Sequence, residues 1–476
     1  MRSNATSVHW HGVWQRGSVE YDGVPGVTQC PIPPGKTFTY KFRAYQYGTT
    51  WYHSHVNLQI TNGLFGPLII NGPATADYDE DVGAIFLQDW MHRSAFSSWF
   101  DNQKWGITES LSNTLINGTN SYDCSLAAAD PNCVGGGEKF SLVFEPGKKY
   151  RMRLINVAAD SQFQFSIDGH KLSVIASDLV PIQPYEADSI VINAAQRYDI
   201  IVEANAQPRD YWLRGGWVSA CFGVANDTPS QMTGIVRYDA ASSEQPRTTS
   251  IIEPPTTCSD EPYESLVPYL SLNVDSIADT TVEILNERLT HASVFQWTLN
   301  SSSLVLNWTE PTLNQILGGT STFPEAYNVV HANRNTPGDD EWAVLVIDNE
   351  AGGLYGNIAH PVHLHGHDFW ILAQEANAVW DGTVKSFKQT NPPRRDVATL
   401  PAHGYLAVAF KLDNPGTWLV HCHIVWHASQ GLALEIVESQ DAISVNQESR
   451  ALLQDMCSAW AEWSPKAPFP TDGSGI

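Results

Sequence analysis

Long apolar runs are missing from this 476-residue chain: no eighteen consecutive apolar residues occur, so the sequence predicts no membrane span. Basic residues are also scarce, with 27 Lys and Arg against 51 Asp and Glu and a formal net charge of −24. That balance argues against nucleic acid and anionic membrane surfaces as partners. Charged residues make up only 16% of the chain and hydrophobic residues 42%, which excludes a disordered protein and predicts large buried cores.

The first eight residues, MRSNATSV, lack the apolar core of a secretory signal peptide. Two other features favour an oxidising, extracellular environment. Of seven cysteines, Cys422 lies between two histidines and is assigned to metal, which leaves six for up to three disulfides. Glycosylation sequons occur at Asn4, Asn117, Asn226, Asn300 and Asn307. We therefore expect a secreted protein whose signal peptide is not present in this sequence.

Short alternating stretches separated by Gly, Pro and Asn turns predict an all-β protein. The predicted strands cover residues 37–45, 172–177, 188–194, 198–204 and 405–412, and the one notable helix is predicted around 446–460. Two connectors, 72–80 and 240–262, divide the chain into predicted domains at 1–75, 76–245 and 246–476. FTYKFRAYQYGTTWYHSH at 38–55 parallels LAVAFKLDNPGTWLVHCH at 406–423, which indicates that one β-sandwich unit is repeated at the two ends.

Eleven of the sixteen histidines fall in four motifs: HWH at 9–11, HSH at 53–55, HPVHLHGH at 360–367 and HCHIVWH at 421–427. Side chains alternate along a strand, so each His-X-His places two imidazoles on one face. The four pairs are His9/His11, His53/His55, His363/His365 and His421/His423. A single pair would more often be a coincidence or a core histidine. Eight imidazoles exceed the needs of one metal ion and suit three coppers with two or three imidazoles each.

Strand alternation also turns Cys422 away from the cluster that His421 and His423 serve. His360 and His427 lie outside the four pairs and can join this thiolate. One Cys with two His is the ligand set of a blue copper electron-transfer site. Zinc is the main competing metal, but it has no use for eight clustered imidazoles or for a thiolate connected to them.

HWHG, HSH, HPVHLHGHDF and HCHIVWHASQGLALEI resemble the four signatures of multicopper oxidases, specifically the laccases of ascomycete fungi, and the resemblance runs along essentially the whole chain. It implies an all-β fold of three consecutive cupredoxin-like Greek-key β-sandwich domains, with a copper cluster between the first and the last. It also implies four copper ions. The implied ligands are His360, Cys422 and His427 for type 1, His9 and His363 for type 2, and His11, His53, His55, His365, His421 and His423 for the type 3 pair.

The same resemblance implies the disulfides Cys30–Cys457 and Cys221–Cys258, and the short turn-rich loop between Cys124 and Cys133 predicts a third. The family's axial position matches Leu432, five residues after His427. Leucine cannot donate to copper, which raises the potential and favours phenols over an ascorbate-oxidase-like substrate. Ordinary apolar packing of Leu432 is compatible with this role.

Two carboxylates are carried over from the family. Asp188, in YEADSIVINAAQRYD, is expected to accept the proton of a phenolic substrate near His427. Asp22, in EYDGVPGVTQCPI, is expected to supply protons near the type 2 copper, since Val425 replaces an acid found in some relatives. Read without the resemblance, Asp188 is an acid at a strand start and Asp22 belongs to a common Asp-Gly turn.

Family members place several strands before the HWH motif, which here begins at residue 9. We therefore expect an incomplete first domain with unpaired edges, and a chain that folds poorly or holds its cluster weakly. The final residues, TDGSGI, resemble the short tail that enters the cluster channel in ascomycete laccases, although a flexible terminus is nearly as good an explanation.

The sequence as a whole predicts a monomeric laccase that oxidises small phenols with dioxygen. Another multicopper oxidase, such as a ferroxidase or bilirubin oxidase, is the first alternative. A copper-binding protein inactivated by its shortened first domain is the second.

Overall fold

The computed structural model describes residues 4–105, 110–127, 131–221, 226–228, 232–275, 277–289, 294–334, 341–349 and 356–468. The tail 471–476, for which a channel-blocking role is expected, lies outside these residues. The described chain is mostly β and forms five sheets. None of its helices is both long and apolar enough to cross a bilayer.

The N-terminal region contributes one antiparallel sheet of three strands in the order β1-β2-β3. The strands are β1 His9–Trp10, β2 Gly48–His53 and β3 Phe65–Ile70. Trp51 on β2 is fully buried, so this small sheet is anchored by one large aromatic side chain against the core it shares with the C-terminal region.

The strand predicted at 37–45 is not formed. Phe38, Tyr40 and Phe42 turn toward the core while the residues between them are exposed, so the alternation expected of a strand is present. Residues 37–46 nevertheless make no backbone hydrogen bond to other described residues. The prediction was wrong because a ladder requires a strand hydrogen-bonded to it, and none of the described segments pairs with this one through the backbone.

The middle region is a sandwich of two sheets, ordered β10-β9-β12-β7-β4-β5 and β11-β8-β13-β14-β6. Its strands are β4 Glu80–Trp90, β5 Asn113–Ile116, β6 Ser141–Val143, β7 Lys149–Asn156, β8 Phe163–Ile167, β9 Leu172–Ser177, β10 Val180–Ala187, β11 Ile190–Ile192, β12 Arg197–Glu203, β13 Tyr211–Trp217 and β14 Thr233–Arg237. Inward residues such as Phe163, Phe165 and Ile200 are fully buried between the sheets. A helix that the sequence reading missed, α1 Ala95–Trp105, follows β4.

The C-terminal region is a second sandwich, with sheets ordered β16-β15-β18-β23-β20-β21 and β17-β25-β24-β19-β22. Its strands are β15 Ile277–Leu289, β16 Phe295–Leu299, β17 Val329–Ala332, β18 Trp342–Asp348, β19 His360–Leu364, β20 Phe369–Glu375, β21 Arg394–Arg395, β22 Val397–Leu400, β23 Tyr405–Lys411, β24 Gly416–Cys422 and β25 Ala433–Glu438. Its helices are α2 Thr312–Leu317, α3 Val425–Ser429 and α4 Gln447–Trp463. The predicted C-terminal helix is confirmed as α4, whose N-cap Asn446 accepts a hydrogen bond from the Ser449 amide.

Buried ion pairs and disulfides join the three regions. The Arg197 guanidinium contacts both carboxylate oxygens of Asp396 at 2.5 and 2.6 Å, and Arg395 contacts Asp178 at 3.1 Å, with all four side chains fully buried. Removing one member of such a network costs about 3–5 kcal/mol, because a buried charge is left unpaired. The three expected disulfides are all present: Cys30–Cys457, Cys124–Cys133 and Cys221–Cys258. The first joins the N-terminal and C-terminal regions.

Candidate metal centre

Two strand pairs, one from each end of the chain, hold the His-X-His motifs in matching register. On the N-terminal side β1 pairs with β2 so that His9 lies opposite His53. On the C-terminal side β19 pairs with β24 so that His363 lies opposite His421. The two pairs face each other, and the eight imidazoles of the four predicted pairs converge on one buried centre, which we call the histidine cluster: His9, His11, His53, His55, His363, His365, His421 and His423.

Within the histidine cluster the ring nitrogens form three groups whose members lie within 4.8 Å of one another, and His11 belongs to two of them. Each group combines residues from both ends of the chain: His11/His53/His423, His55/His365/His421 and His9/His11/His363. The centre therefore lies at the contact between the first and last regions, and it cannot form in either region alone.

Backbone carbonyls orient several of these rings. The Nδ1 atoms of His9, His363 and His421 lie 2.8, 2.7 and 2.9 Å from the carbonyl oxygens of Asp22, Asp396 and Cys422. Each carbonyl holds the ring proton on Nδ1, because an oxygen can only accept. The Nε2 atoms of these three histidines are buried and have no hydrogen-bond partner. Buried polar atoms without a hydrogen-bond partner are rare. A neutral imidazole whose Nδ1 is hydrogen-bonded and whose Nε2 has no partner is the form that binds a metal ion.

His11 is turned the other way. Its Nε2 lies 3.2 Å from the Asp396 carboxylate, and its Nδ1 faces the cluster 3.4 Å from Nε2 of His53. The Asp396 carboxylate thus fixes the orientation of a cluster ring and also binds Arg197, so the cluster is tied directly to the ion pairs between regions.

Burial keeps these imidazoles neutral. Desolvation, followed by the proximity of other histidines, lowers the pKa of His11, His363 and His365 well below the ordinary value. Desolvation also lowers the pKa of His421 to about 4. Neutral rings keep a free lone pair at mildly acidic pH, and this is the form that binds a metal ion.

A second group, which we call the sulfur site, consists of Cys422, His360 and His427. The Cys422 Sγ lies 3.7 Å from Nδ1 of His360 and 3.6 Å from Nδ1 of His427, and the two nitrogens are 3.1 Å apart. Three donors at these separations can all reach one ion at bond lengths of about 2.0–2.3 Å. Cys422 is buried and is the only described cysteine outside a disulfide. Burial raises the pKa of its thiol well above the ordinary value, and a bound metal ion reverses this by stabilising the thiolate.

Leu432 and Trp297 border the sulfur site. The Leu432 amide donates to the His427 carbonyl, and the Leu432 carbonyl accepts from the Cys422 amide at 3.1 Å, so this leucine is held beside both ligand candidates. The Trp297 ring lies 4.6 Å from the His427 ring and 5.0 Å from the His360 ring. Nothing in the single sequence distinguishes Trp297 from a core tryptophan, and the sequence reading missed it.

Asp22 lies inside the histidine cluster. Its side chain is fully buried, with Oδ2 2.9 Å from Nδ1 of His365 and Oδ1 3.2 Å from Nδ1 of His9. The structure therefore brings Asp22 to the rings with which the sequence associated it.

Asp188 is placed differently. It follows β10, its side chain is 54% exposed, and its carboxylate pairs with Lys171 at 2.7 Å. The described contacts do not connect Asp188 with the sulfur site. A buried carboxyl group that the sequence reading did not select, that of Asp160, adds to the effect of burial in raising the pKa of the Cys422 thiol.

Asp160 lies in a loop held tightly against α3. The Val425 amide donates to the Ala159 carbonyl at 3.0 Å, and the Asp89 carboxylate accepts the amides of Ala159, Asp160 and Ser161 at 2.8–3.1 Å. Desolvation, and then the nearby Asp89 charge, raise the pKa of Asp160 to about 8. No short-range signal marks this residue in the sequence, because its neighbours come from three separate segments.

Comparison with known proteins adds independent support. Three models of the multicopper oxidase family match residues 1–75, 81–241 and 304–442. The chain is 55% identical over 480 residues to Laccase-2 of Botryotinia fuckeliana and 50% identical over 481 residues to Laccase-1 of the same fungus. Each match covers 100% of this chain and 80% of the relative.

Among solved structures, the laccase of Botrytis aclada is similar throughout. The TM-score is 0.94 at 54% identity, and the match covers 100% of this chain and 86% of the Botrytis aclada chain. The likeness thus includes both ends of the chain, which together build the histidine cluster.

Proposed function

This chain belongs to the multicopper oxidase family, and we propose that it is a laccase that oxidises phenols one electron at a time and reduces dioxygen to water. The observation that carries the proposal is the position of Cys422. This residue belongs to the sulfur site, while its two chain neighbours, His421 and His423, belong to the histidine cluster. The electron-accepting site and the multi-metal site would therefore be connected through the peptide bonds between Cys422 and its two neighbours.

We assign four copper ions to these residues. His360, Cys422 and His427 would hold one ion, the trios His11/His53/His423 and His55/His365/His421 would hold one each, and His9 with His363 would hold the fourth. Copper bound in this way would supply one-electron acceptance at the sulfur site and four-electron reduction of dioxygen at the histidine cluster. The buried, unpartnered ring nitrogens and the neutral state of the imidazoles support this assignment.

In this proposal Leu432 would lie beside the ion held by the sulfur site without offering it a donor atom. Its side chain contains no sulfur atom, and the lack of a further donor would favour the reduced state of a bound metal ion. The resulting high potential suits phenols, which give up electrons less readily than ascorbate does.

Asp160 is our candidate for accepting the phenolic proton, in place of the sequence-based candidate Asp188. Its position behind α3, which carries His427, supports this role. Asp188 is exposed and already paired with Lys171. A phenol is easier to oxidise when its proton leaves with the electron, so a carboxylate beside the electron-accepting site contributes directly to the rate.

Asp22 is our candidate for holding and delivering protons during dioxygen reduction. It is buried within hydrogen-bond reach of two cluster histidines, and Val425 offers no acid nearby. We further propose that the protein is a secreted monomer; three disulfides support an oxidising compartment.

Oxygen uptake by the purified protein tests the function. We expect consumption with a diphenol, with one dioxygen used for every four electrons removed and no released peroxide. Preferential consumption with Fe(II) or bilirubin would instead favour another multicopper oxidase. No consumption with any of the three donors would favour an inactive copper-binding protein.

The two proton-acceptor candidates are separated by D160N and D188N. We expect D160N to slow phenol oxidation by about 10²-fold, the usual contribution of a positioned acid–base group, and to remove the rise in rate as Asp160 ionises with increasing pH. Oxidation of a donor that carries no proton, such as ferrocyanide, should be affected much less. A loss confined to D188N would return the role to Asp188.

A further inference from the structure

A cavity of about 540 Å³ opens on the surface of the middle region, and no residue of the histidine cluster or the sulfur site lines it. Its walls come from the turn 168–171 between β8 and β9, from Tyr211 at the start of β13 and from the connector segment 247–252. Small-molecule sites occupy roughly 300–1,000 Å³. The cavity is therefore large enough for a ring-sized organic ligand.

Two arginines on this cavity have no carboxylate partner among the described residues. Arg209 and Arg247 both line it, and both also line the neighbouring cavity of about 350 Å³. The acids of the wall are already engaged: Asp168 binds the Arg214 guanidinium through two bonds of 2.8 Å, and Asp188 binds Lys171. The unbalanced charge of the cavity is therefore positive.

This local charge is opposite in sign to the net charge of the molecule. The chain carries a net charge of −24, and its buried arginines, such as Arg151, Arg197 and Arg395, are all paired with carboxylates. An acidic surface repels organic anions, whereas two unpaired guanidinium groups at one opening attract them locally. Guanidinium groups bind carboxylates through two parallel N–H···O bonds, so they also fix the orientation of such a ligand.

Apolar surface lies next to these charges. Ile251 is 86% exposed and Ile252 is partly exposed on the connector side. On the other side the Arg209 guanidinium lies 5.2 Å from the centre of the buried Tyr211 ring. A flat apolar ring between these groups would cover Ile251 while its acid group met the arginines.

We propose that this cavity binds an aromatic carboxylate, with the acid group on Arg209 and Arg247 and the ring against Ile251 and Ile252. The site is additional to copper binding and phenol oxidation and does not depend on either. Asp188 lines the same cavity, and its negative charge opposes the binding of the ligand's carboxylate.

Isothermal titration calorimetry of the full chain with benzoate tests the proposal at pH 6. The ionic strength is kept low because exposed charges are then least screened. Benzyl alcohol is the neutral comparison ligand. We expect saturable benzoate binding that weakens with salt, and at least about tenfold weaker binding of benzyl alcohol, since the charged hydrogen bonds are lost. Equal binding of the two ligands would overturn the proposal, as would the absence of saturable binding.

Three substitutions locate the site. R209Q and R247Q should each weaken benzoate binding by about tenfold, the order expected for one lost charge-assisted contact. D188N should strengthen it severalfold. R43Q is the matched control, because Arg43 is also exposed and lies 5.0 Å from a tyrosine ring, that of Tyr45, far from this cavity in the chain. R43Q should leave benzoate binding unchanged.

Three outcomes contradict the assignment. An equal loss in R43Q would show that benzoate follows net charge only. Inorganic phosphate binding as tightly as benzoate would show that the ring makes no contribution. Unchanged binding in R209Q and R247Q would place benzoate elsewhere. Unchanged oxidation of a neutral diphenol by R209Q and R247Q checks that both variants are folded.

Discussion

Two segments with parallel sequence patterns, 38–55 and 406–423, behave differently at the two ends of the chain. Both end in Gly-Thr followed by a His-X-His motif, and in both the strand that begins at the glycine is formed, as β2 and β24. The preceding stretches differ. Residues 405–411 form β23, hydrogen-bonded to β18 on one side and β20 on the other, whereas residues 37–46 have no ladder partner among the residues that the structure describes. The local pattern sets which residues face inward, but a strand also requires neighbours.

The sequence carries part of this difference. Phe42 and Phe410 occupy matching positions and both face a core, but the residues on the opposite face diverge. Ala407 and Ala409 are completely buried under a second hydrophobic cluster, while Thr39 and Lys41 are exposed. Small apolar residues on both faces thus indicate a strand inside a sandwich, and polar residues on one face indicate a strand open to water.

The largest expected effect concerns the residue inside each His-X-His pair, Ser54 at one end and Cys422 at the other. C422S should reduce phenol oxidation by more than about 10³-fold, because the sulfur site loses its thiolate while the histidine cluster is untouched. Copper analysis should show one ion fewer per chain.

S54A is the matched variant. The Ser54 hydroxyl donates to Gln59 and accepts from the Val56 amide, so its loss should cost about 1 kcal/mol of stability and leave the metal ions in place. Equal losses of copper in C422S and S54A would contradict the division into two sites.

Amide hydrogen exchange compares the backbone of residues 405–411 directly with that of residues 37–46. Amides of 405–411 should exchange at least about 10³-fold more slowly than those of 37–46, because only the former lie in ladders that open through global unfolding. The comparison is read by mass spectrometry on peptides covering both segments. Equal protection of the two segments would show that residues 37–46 have a hydrogen-bonded partner. Separately, high thermal stability with full copper occupancy would refute the expectation that the first region weakens the chain.

The sequence predicted which candidate metal ligands come together better than it predicted the sheets around them. His-X-His spacing and the embedded Cys422 determine which side chains share a face, and the structure groups them accordingly. The prediction of a strand at 37–45 was wrong because backbone pairing in a sheet also depends on the segments that lie next to it. Asp160 was missed for the same reason: its importance comes from Asp89 and α3, which lie far away in sequence.

Truncation of the matching phenylalanines, Phe410 and Phe42, should lower the free energy of unfolding by different amounts at the two ends of the chain. F410A should destabilise the protein by about 3–5 kcal/mol, since Phe410 is 2% exposed between packed sheets. F42A should cost only about 1–2 kcal/mol, because Phe42 is partly exposed and loses fewer contacts. Urea denaturation of the copper-free protein measures both, and a larger loss in F42A would reverse the comparison.

The smallest expected effect concerns the strand next to each His-X-His strand. Leu419 lies opposite Glu435 on β25, and the matching Trp51 lies opposite Pro67 on β3. Burial raises the pKa of Glu435 to about 8, so between about pH 4.5 and 8 the folded state holds a proton that the unfolded state has released. Stability therefore falls as pH rises through this window.

E435Q should remove this contribution. Between pH 5 and pH 7 the free energy of unfolding of the variant should therefore fall by about 1–2 kcal/mol less than that of the parent. Thermal unfolding at the two pH values measures the difference. P67A, at the matching position of the first region, carries no titrating group and should leave the pH dependence as in the parent. An unchanged slope in E435Q would show that Glu435 is ionised in the folded protein.

The account rests on copper in both sites, and optical and electron paramagnetic resonance spectra of the purified protein test it most directly. We predict an intense blue thiolate-to-copper band with type 1 and type 2 signals, and about four copper ions per chain by metal analysis. A colourless protein without a type 1 signal after loading with copper would contradict the assignment of Cys422, His360 and His427.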